Sequence, residues 1–237
     1  MEKMRYIQAL ACLEVRLAPT KHLHGEIEMS VLRIRRHFLR LAAICLAGSV
    51  LPLSGLKAAA PAGGVAPGFS LTDLKGKPFS LQDYAGRWVA LEWTNPDCPF
   101  VQKHYNSGNM QSTQKQAQDA RIVWIQINST NPNHSDYKSP KDMLAWNSEM
   151  KTLVAHAALD ADGKVGKAYG AKTTPQMVLI DPKGVVVYHG AIDSIRSASA
   201  GDIPKATNYM KQAMAEALAG KPVSVSESTP YGCSVKY

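Results

Sequence analysis

The chain has 237 residues, 45% of them hydrophobic, with 17 Gly, 14 Pro, 4 Cys and a formal net charge of +8. These values exclude a collagen-like, low-complexity or disordered chain, and the few cysteines exclude a small disulfide-framed domain. A charge of +8 is compatible with nucleic-acid binding. However, residues 1–60 carry +5 of it and residues 61–237 only +3. We therefore expect no nucleic-acid partner.

The N-terminal region has the order of an export signal. A basic stretch (33–40, RIRRHFLR) precedes an uncharged apolar run of 16 residues (41–56), and small residues follow at 58–62. This order predicts a cleaved signal peptide, whereas an uncleaved anchor would need a longer, unbroken apolar run. The basic stretch also resembles a twin-arginine signal. We expect export to the periplasm, with membrane contact only during export.

This signal divides the chain into four segments. Met29 lies four residues before the basic stretch, so translation is predicted to start there. Residues 1–28 are then a gene-start artefact or an extension, and 29–60 the signal peptide. Residues 61–222 are predicted to form the folded domain, and 223–237 a C-terminal tail that carries Cys233.

Strands and helices alternate from residue 61 onward. The hydrophobic periodicity and the turn residues between elements predict both types. The predicted strands are 69–72, 79–81, 88–93, 121–128, 156–159, 176–180 and 185–189, and the predicted helices are 140–153 (capped by Ser139), 164–169 and 202–217. This order predicts an α/β fold, a central mixed β-sheet flanked by helices and preceded by an N-terminal β-hairpin.

Cys98 lies in the segment that leaves the 88–93 strand, at the point where a helix is expected to begin. Catalytic groups in such sheets gather at the carboxyl ends of the strands. The helix dipole and the free backbone N–H groups at a helix N-terminus favour a thiolate and lower the pKa of a cysteine. Because thiolates attack disulfides and peroxides, Cys98 is the predicted nucleophile.

Three motifs resemble the thioredoxin-like superfamily, and within it the alkyl hydroperoxide reductase/thiol-specific antioxidant (redoxin) branch. They are the opening hairpin at 69–86, the Cys98-Pro99-Phe100 turn, and 169–184 (YGAKTTPQMVLIDPKG), which is similar to the family's cis-proline loop and its hairpin. The resemblance covers about residues 66–220 and implies a thioredoxin-like fold. It implies a cis Pro175 facing Cys98 and a substrate groove at Thr94, Asn95, Pro99, Thr174 and Pro175.

Two positions depart from the family pattern. Thioredoxins have a second cysteine where this chain has Val101, and typical peroxiredoxins have a threonine where it has Asn95. A peroxidase would need Thr94 or Asn95 in that role, together with an arginine such as Arg196. The sequence leaves open whether the substrate is a peroxide or a disulfide.

Cys233, in the tail, is the second cysteine after residue 60 and lies 135 residues beyond Cys98. Cysteines of an exported chain usually pair. Cys233 either resolves an oxidised Cys98, forms a permanent bridge with it that stabilises the fold by about 3–5 kcal/mol, or stays free or intermolecular. The neighbouring Gly232 suggests a mobile tail, which favours the resolving role.

Other residues have both a structural and a functional interpretation. Glu92, inside an apolar strand, is either a proton-transfer group for the thiol or a partnered structural carboxylate. We expect His104 to be a surface or capping residue, Asp97 to cap the helix, and Trp93 and Tyr105 to lie in the core.

The leading hypothesis is therefore an exported oxidoreductase that uses Cys98 and Cys233, has no cofactor or bound metal, and takes electrons from an unidentified thiol reductant. One alternative is a copper-binding module in which Cys98, His104 and Cys233 supply soft ligands. Another is a catalytically idle domain held by a Cys98–Cys233 bridge.

Overall fold

The computed structural model describes residues 60–237. The interpretations of 1–28 and of the signal peptide at 29–60 therefore lie outside the described residues, except for Ala60. Within 60–237, no helix combines the length and the apolar character that crossing a membrane requires.

The elements of the described part follow the predicted alternation closely. The helices are α1 (Pro99–Asn106), α2 (Asn109–Asp119), α3 (Pro140–Glu149), α4 (Lys164–Ala168) and α5 (Tyr209–Leu218). The strands are β1 (Ser70–Thr72), β2 (Pro78–Ser80), β3 (Val89–Trp93), β4 (Val123–Asn128), β5 (His156–Leu159), β6 (Thr173–Thr174), β7 (Gln176–Ile180), β8 (Val186–Gly190) and β9 (Cys233–Ser234). Short 3₁₀ helices lie at Leu81–Tyr84 and Ala200–Lys205.

The central sheet has the strand order β5-β4-β3-β7-β8. Strands β3, β4 and β5 are parallel to one another, β7 runs antiparallel to β3, and β8 runs antiparallel to β7. Strands β1 and β2 form the expected N-terminal hairpin. The mixed sheet flanked by helices confirms the thioredoxin-like architecture.

Every residue of β3 is buried, because hydrophobic layers cover both faces of the sheet. On one face, Leu91 and Trp93 pack with Phe79 of the hairpin and Tyr169. On the other face, Ala90 belongs to the layer that contains Cys98 and the buried residues of α1, α2 and α5. Cys98 is thus part of a packed layer of the fold.

The helix predicted at 202–217 is wrong at its start. Residues Ala200–Lys205 form a 3₁₀ helix that contains Pro204, and the chain at Ala206 is extended. Helix α5 begins only after Asn208, whose side chain accepts a hydrogen bond from Lys211 N. Proline removes a backbone donor, so an α-helix cannot run through this segment unbroken.

Two further differences concern helices. Helix α2 was not predicted, because its polar sequence (NMQSTQKQAQD) carries little apolar periodicity. Helix α3 begins at the predicted cap, where Ser139 accepts a hydrogen bond from Asp142 N. It ends at Glu149, short of the predicted 153, and Lys151 adopts a positive φ of 52°.

The C-terminal tail folds back along the domain. Its residue Glu227 bridges to β8 at His189, and the Ser228 hydroxyl accepts a hydrogen bond from Ala191 N at 2.9 Å. Strand β9 then pairs antiparallel with β6. The last residues of the chain therefore reach the end of the sheet where Cys98 lies.

Candidate active site

Cys98 occupies the N-cap of α1, as predicted, and its side chain is 2% exposed. The thiol donates a hydrogen bond to the carbonyl oxygen of Thr174 at 3.0 Å. The peptide bond between Thr174 and Pro175 is cis, as the family resemblance implied. The helix start and the proline loop, 76 residues apart in sequence, thus meet at the thiol.

Cys233 lies directly opposite Thr174 in the β6–β9 pair. Both cysteines are free thiols, and Cys233 is partly buried. Its burial, together with its closeness to Cys98, raises the pKa of Cys233 to about 12. At neutral pH Cys233 is therefore protonated, which suits a residue that attacks second rather than first.

Gly232 allows the tail to approach the proline loop. Its φ is +131°, a backbone conformation that residues other than glycine rarely adopt. Gly232 was expected to make the tail mobile. Its contacts do not support that expectation, because this glycine lies directly against the backbone of Thr174. Its lack of a side chain serves close packing.

A buried polar cluster anchors the tail just before Gly232. It consists of Lys103 and His104 of α1, Asp193 after β8, and Tyr231 of the tail, and we call it the tail-anchor cluster. The Tyr231 hydroxyl donates to Asp193 Oδ1, and Lys103 Nζ lies 3.2 Å from Asp193 Oδ2. The cluster joins the helix that carries Cys98 to the tail that carries Cys233.

One residue of this cluster, His104, differs from the expectation. His104, predicted at the surface, is fully buried. Its Nδ1 accepts a hydrogen bond from the Asn109 side chain at 2.7 Å, and its Nε2 lies 3.4 Å from the Tyr231 hydroxyl. Burial lowers the pKa of His104 to about 4, with a further lowering by Lys103 and an opposing effect of Asp193. Lys103 is paired with a buried carboxylate, so its charge is compensated locally.

The loop before Cys98 is shaped by Asn95. Its Oδ1 accepts a hydrogen bond from Asp97 N at 2.9 Å, and its Nδ2 donates to Thr130 Oγ1 at 3.1 Å. The carbonyl of Asn95 accepts from Cys98 N at 3.1 Å. Asp97 was predicted to cap α1, but Cys98 occupies the N-cap. The Asp97 carboxylate lies 2.6 Å from Lys138 Nζ instead.

A small cavity of about 30 Å³ lies between the two cysteines, the loop after β3 and the tail. Of the predicted groove residues, Thr94, Asn95 and Thr174 line it. Pro99 is exposed and Pro175 is buried, and neither lines the cavity. The hydroxyls of Thr94 and Thr174 are buried without a hydrogen-bond partner.

Glu92 is fully buried and accepts hydrogen bonds from three side chains, Tyr105 at 2.7 Å, Trp124 at 2.8 Å and Gln114 at 3.2 Å. Burial raises its pKa, and these hydrogen bonds oppose the rise. Cys98 is not among its hydrogen-bond partners. Trp93 and Tyr105 lie in the core as expected.

Cys98, His104 and Cys233 do not form the copper site of the alternative hypothesis. Among residues 60–237, no group of three His, Cys, Asp or Glu side chains is close enough to hold a metal ion. His104 has its ring nitrogens directed at Asn109 and Tyr231. Arg196, the candidate for a peroxidase arginine, is exposed and does not line the cavity.

The sequence profile of the AhpC/TSA family matches residues 62–189, more than half of the chain. The chain belongs to the AhpC/TSA family. This match covers the opening hairpin, the Cys98 turn and the proline loop, which are the motifs that carried the resemblance. The tail of this AhpC/TSA chain, with Tyr231, Gly232 and Cys233, lies beyond the matched residues.

Two curated relatives are named thiol-disulfide oxidoreductase ResA, from Bacillus thuringiensis subsp. konkukian and Bacillus cereus. Each is 26% identical to this chain over 122 residues, which are 52% of this chain and 65% of the relative. The alignment therefore spans less than two thirds of the relatives' own length.

Two solved structures support the fold of this AhpC/TSA protein. A hypothetical protein from Sinorhizobium meliloti 1021 has a TM-score of 0.62 at 24% identity, over 74% of this chain and 94% of its own. An uncharacterized conserved protein from Geobacillus kaustophilus has a TM-score of 0.62 at 25% identity, over 75% and 93%.

Sequence reasoning did not identify the tail-anchor cluster. Tyr231 lies in a Ser-rich tail without periodicity, and Asp193 lies in an irregular segment after β8. The only local signal was the Tyr-Gly-Cys sequence at 231–233. It joins a large aromatic residue and a glycine to the second cysteine, in a segment otherwise typical of a loose tail.

Proposed function

We propose that this protein is a thiol-dependent oxidoreductase in which Cys98 is the nucleophile and Cys233 the resolving cysteine. The observation that carries the proposal is that both free thiols line one small cavity at the carboxyl end of β3, beside the cis-proline loop. The names of the two Bacillus relatives support thiol-disulfide chemistry in general. No resident metal or cofactor is needed for this reaction.

The proposed cycle begins with attack by the Cys98 thiolate on a disulfide sulfur or a peroxide oxygen. The S–S or O–O bond breaks, and the leaving thiolate, hydroxide or alkoxide takes up a proton. Cys98 is then a mixed disulfide or a sulfenic acid. Cys233 loses its proton and attacks the Cys98 sulfur. The Cys98–Cys233 bond forms, and the second thiol or a water molecule leaves.

The substrate thereby gains two electrons and the cysteine pair loses them. An external thiol must reduce the Cys98–Cys233 bond before the next turnover. Because both thiols line the same small cavity, the resolving sulfur needs no large movement, which favours a rapid second step. The raised pKa of Cys233 supports the assignment of Cys98 as the first nucleophile.

We also propose that the protein acts after export, most directly in the periplasm. The support is the basic, apolar and small-residue order of residues 33–62. An oxidising compartment favours cysteine pairs that cycle between thiol and disulfide. Fractionation of cells that express the full chain, with mass measurement of the N-terminus, tests this part.

The central experiment is peptide mapping of the reduced protein after titration with hydrogen peroxide or with glutathione disulfide. We expect a Cys98–Cys233 disulfide that dithiothreitol reverses, peroxide consumption or insulin reduction, and loss of both activities in Cys98→Ser. Cys233→Ser is the matched control, which should still form a sulfenic acid or a mixed disulfide at Cys98. Equal rates for wild type and Cys98→Ser would reject the proposal, and a bridge that resists reductant would indicate the idle, stapled domain.

A further inference from the structure

Residues 231–237, which we call the C-terminal strap, include the extended strand β9 and lie over the site. Strand β9 of the strap pairs with β6, so that Cys233 lies opposite Thr174 and Ser234 opposite Thr173. Val235 N donates to Lys172 O at 3.0 Å. An extended polypeptide adds to a sheet edge through the same kind of backbone pairing. Here this edge, next to Cys98, is already occupied by the chain's own C-terminus.

The strap is held along its whole length. At its start, Tyr231 is bonded to the tail-anchor cluster. Further along, Asn131 N donates to Lys236 O at 2.6 Å. At its end, the Tyr237 hydroxyl donates to Ala171 O at 2.7 Å, and its ring packs so closely on Gly166 that a β-carbon there would lie 2.5 Å from the hydroxyl.

The strap also closes the approach to Cys98. The side chain of Cys98 is 2% exposed, and four consecutive strap residues, 233–236, line the cavity beside it. That cavity measures about 30 Å³, enough for about two water-sized molecules. A small oxidant fits this space, whereas a polypeptide disulfide brings two chains with it and needs the space that the strap fills.

We propose that the C-terminal strap determines the substrate size of this enzyme, admitting small oxidants to Cys98 and excluding polypeptide disulfides while β9 is paired with β6. The inference rests on the proposed role of Cys98 as nucleophile. It follows that the reaction of Cys98 with a polypeptide disulfide is limited by the fraction of molecules in which the strap is released.

Gly232 provides the variant that releases the strap. A β-carbon at position 232 would lie 1.9 Å from the carbonyl oxygen of Thr174, so Gly232→Val cannot keep the β6–β9 pair. Gly68→Val is the matched control, because a β-carbon at Gly68 meets no atom within 4 Å. Both variants are made in the full chain with Cys233→Ser, so that ring closure does not compete with the reaction of Cys98.

Two single-turnover rates are measured in each protein. One is sulfenic acid formation at Cys98 with hydrogen peroxide, trapped with dimedone, and the other is formation of the Cys98 mixed disulfide with insulin. We expect Gly232→Val to raise the rate of mixed-disulfide formation with insulin about tenfold or more. The rate of sulfenic acid formation with peroxide should change by less than about threefold, because only the reaction with the large substrate depends on the fraction of molecules with a released strap. The Gly68→Val control should leave both rates unchanged.

Hydrogen exchange of residues 172–174 and 233–235 verifies that the strap is released while the core stays protected. An unchanged insulin rate in a protein with a released strap would overturn the inference, as would fast insulin reaction with the strap in place. If Gly232→Val does not fold, Tyr231→Phe is used in its place. It removes the bond to Asp193 and should raise the insulin rate by a smaller factor, and a folded Tyr231→Phe with no rise contradicts the inference.

Failure of the proposed function has a different signature. In that case Cys98 reacts with neither substrate in any variant, including those with a released strap. Reaction with peroxide but no effect of the strap on insulin would leave the proposed function in place and reject only the inference on substrate size.

Discussion

Tyr231, two residues before Cys233, donates a hydrogen bond to the buried carboxylate of Asp193. Asp193 in turn pairs with Lys103 of α1, the helix that Cys98 caps. One buried carboxylate thus connects the segments that carry the two cysteines. The positions of Cys98 and Cys233 relative to each other depend on this connection as well as on the β6–β9 pair.

Removing the Tyr231 hydroxyl tests this connection. Tyr231→Phe keeps the ring, which packs edge-on against Phe100, and leaves the buried Asp193 with one donor fewer. We expect the free energy of unfolding of the reduced protein to fall by about 1–3 kcal/mol. Urea unfolding measures the change. Tyr209→Phe, a substitution on the half-buried first residue of α5, serves as the control and should change stability by about 0.5 kcal/mol or less.

The buried His104 should make the free energy of unfolding depend on pH. Burial lowers its pKa from 6.5 to about 4 in the folded state, so between these values the unfolded chain binds a proton that the folded protein does not. Stability therefore falls as the pH drops from about 6.5 to about 4, by about 3 kcal/mol in total, and this contribution levels off below pH 4.

Urea unfolding between pH 4 and pH 7 measures this dependence. His104→Gln should flatten it, whereas the control His134→Gln, at a side chain that is 38% exposed, should leave it unchanged. The groups facing His104 are Asp193, Lys103, Tyr231 and Asn109, and none of them is altered in either variant. An unchanged slope in His104→Gln would contradict the neutral, buried state of this histidine.

Cys233 should react slowly with alkylating agents at neutral pH. Because its pKa is raised to about 12, its thiolate is scarce, and its alkylation rate should rise about tenfold per pH unit between about pH 8 and pH 10. Iodoacetamide labelling of the reduced protein, followed by peptide mass analysis, measures this rate separately from that of Cys98. A rate that levels off near pH 9 would show an ordinary cysteine.

Asn95 is predicted to position the start of α1. Asn95→Ala removes the acceptor of Asp97 N and the donor to Thr130 Oγ1, so the loop before Cys98 loses its turn. We expect a stability loss of about 1–2 kcal/mol and slower formation of the Cys98–Cys233 bond under fixed oxidant. Asn95→Asp keeps the Oδ1 acceptor and should restore part of the rate, which distinguishes loop positioning from a general loss of stability.

Glu92→Gln distinguishes the two interpretations of the buried carboxyl group. Burial raises the pKa of Glu92 above its ordinary value of 4.5, so the folded state holds a proton that the unfolded state releases, and this group lowers stability as the pH rises through 4.5. The variant should lose that pH dependence. If the role is structural, the pH profile of Cys98 alkylation stays as in wild type, and a shifted profile would indicate proton transfer to the thiol.

Much of the fold was accessible from local sequence signals. The apolar runs of β3 and β4, the turn between β1 and β2, and the Ser139 cap each act over a few residues, and each was predicted close to its observed place. Helix α2 and the start of α5 were missed for local reasons too, because a polar surface helix has weak periodicity and Pro204 interrupts an otherwise helical pattern.

For the candidate site, the sequence by itself determined the N-cap residue of α1, Cys98, and the proline loop, because a cysteine at a strand-to-helix turn and a Thr-Thr-Pro loop are local patterns. Only the tertiary structure decided what surrounds them. The burial of His104, the pairing of Lys103 with Asp193, and the place of Cys233 opposite Thr174 join segments up to 127 residues apart. Such contacts depend on how the sheet and the returning tail pack, and no local periodicity encodes that packing.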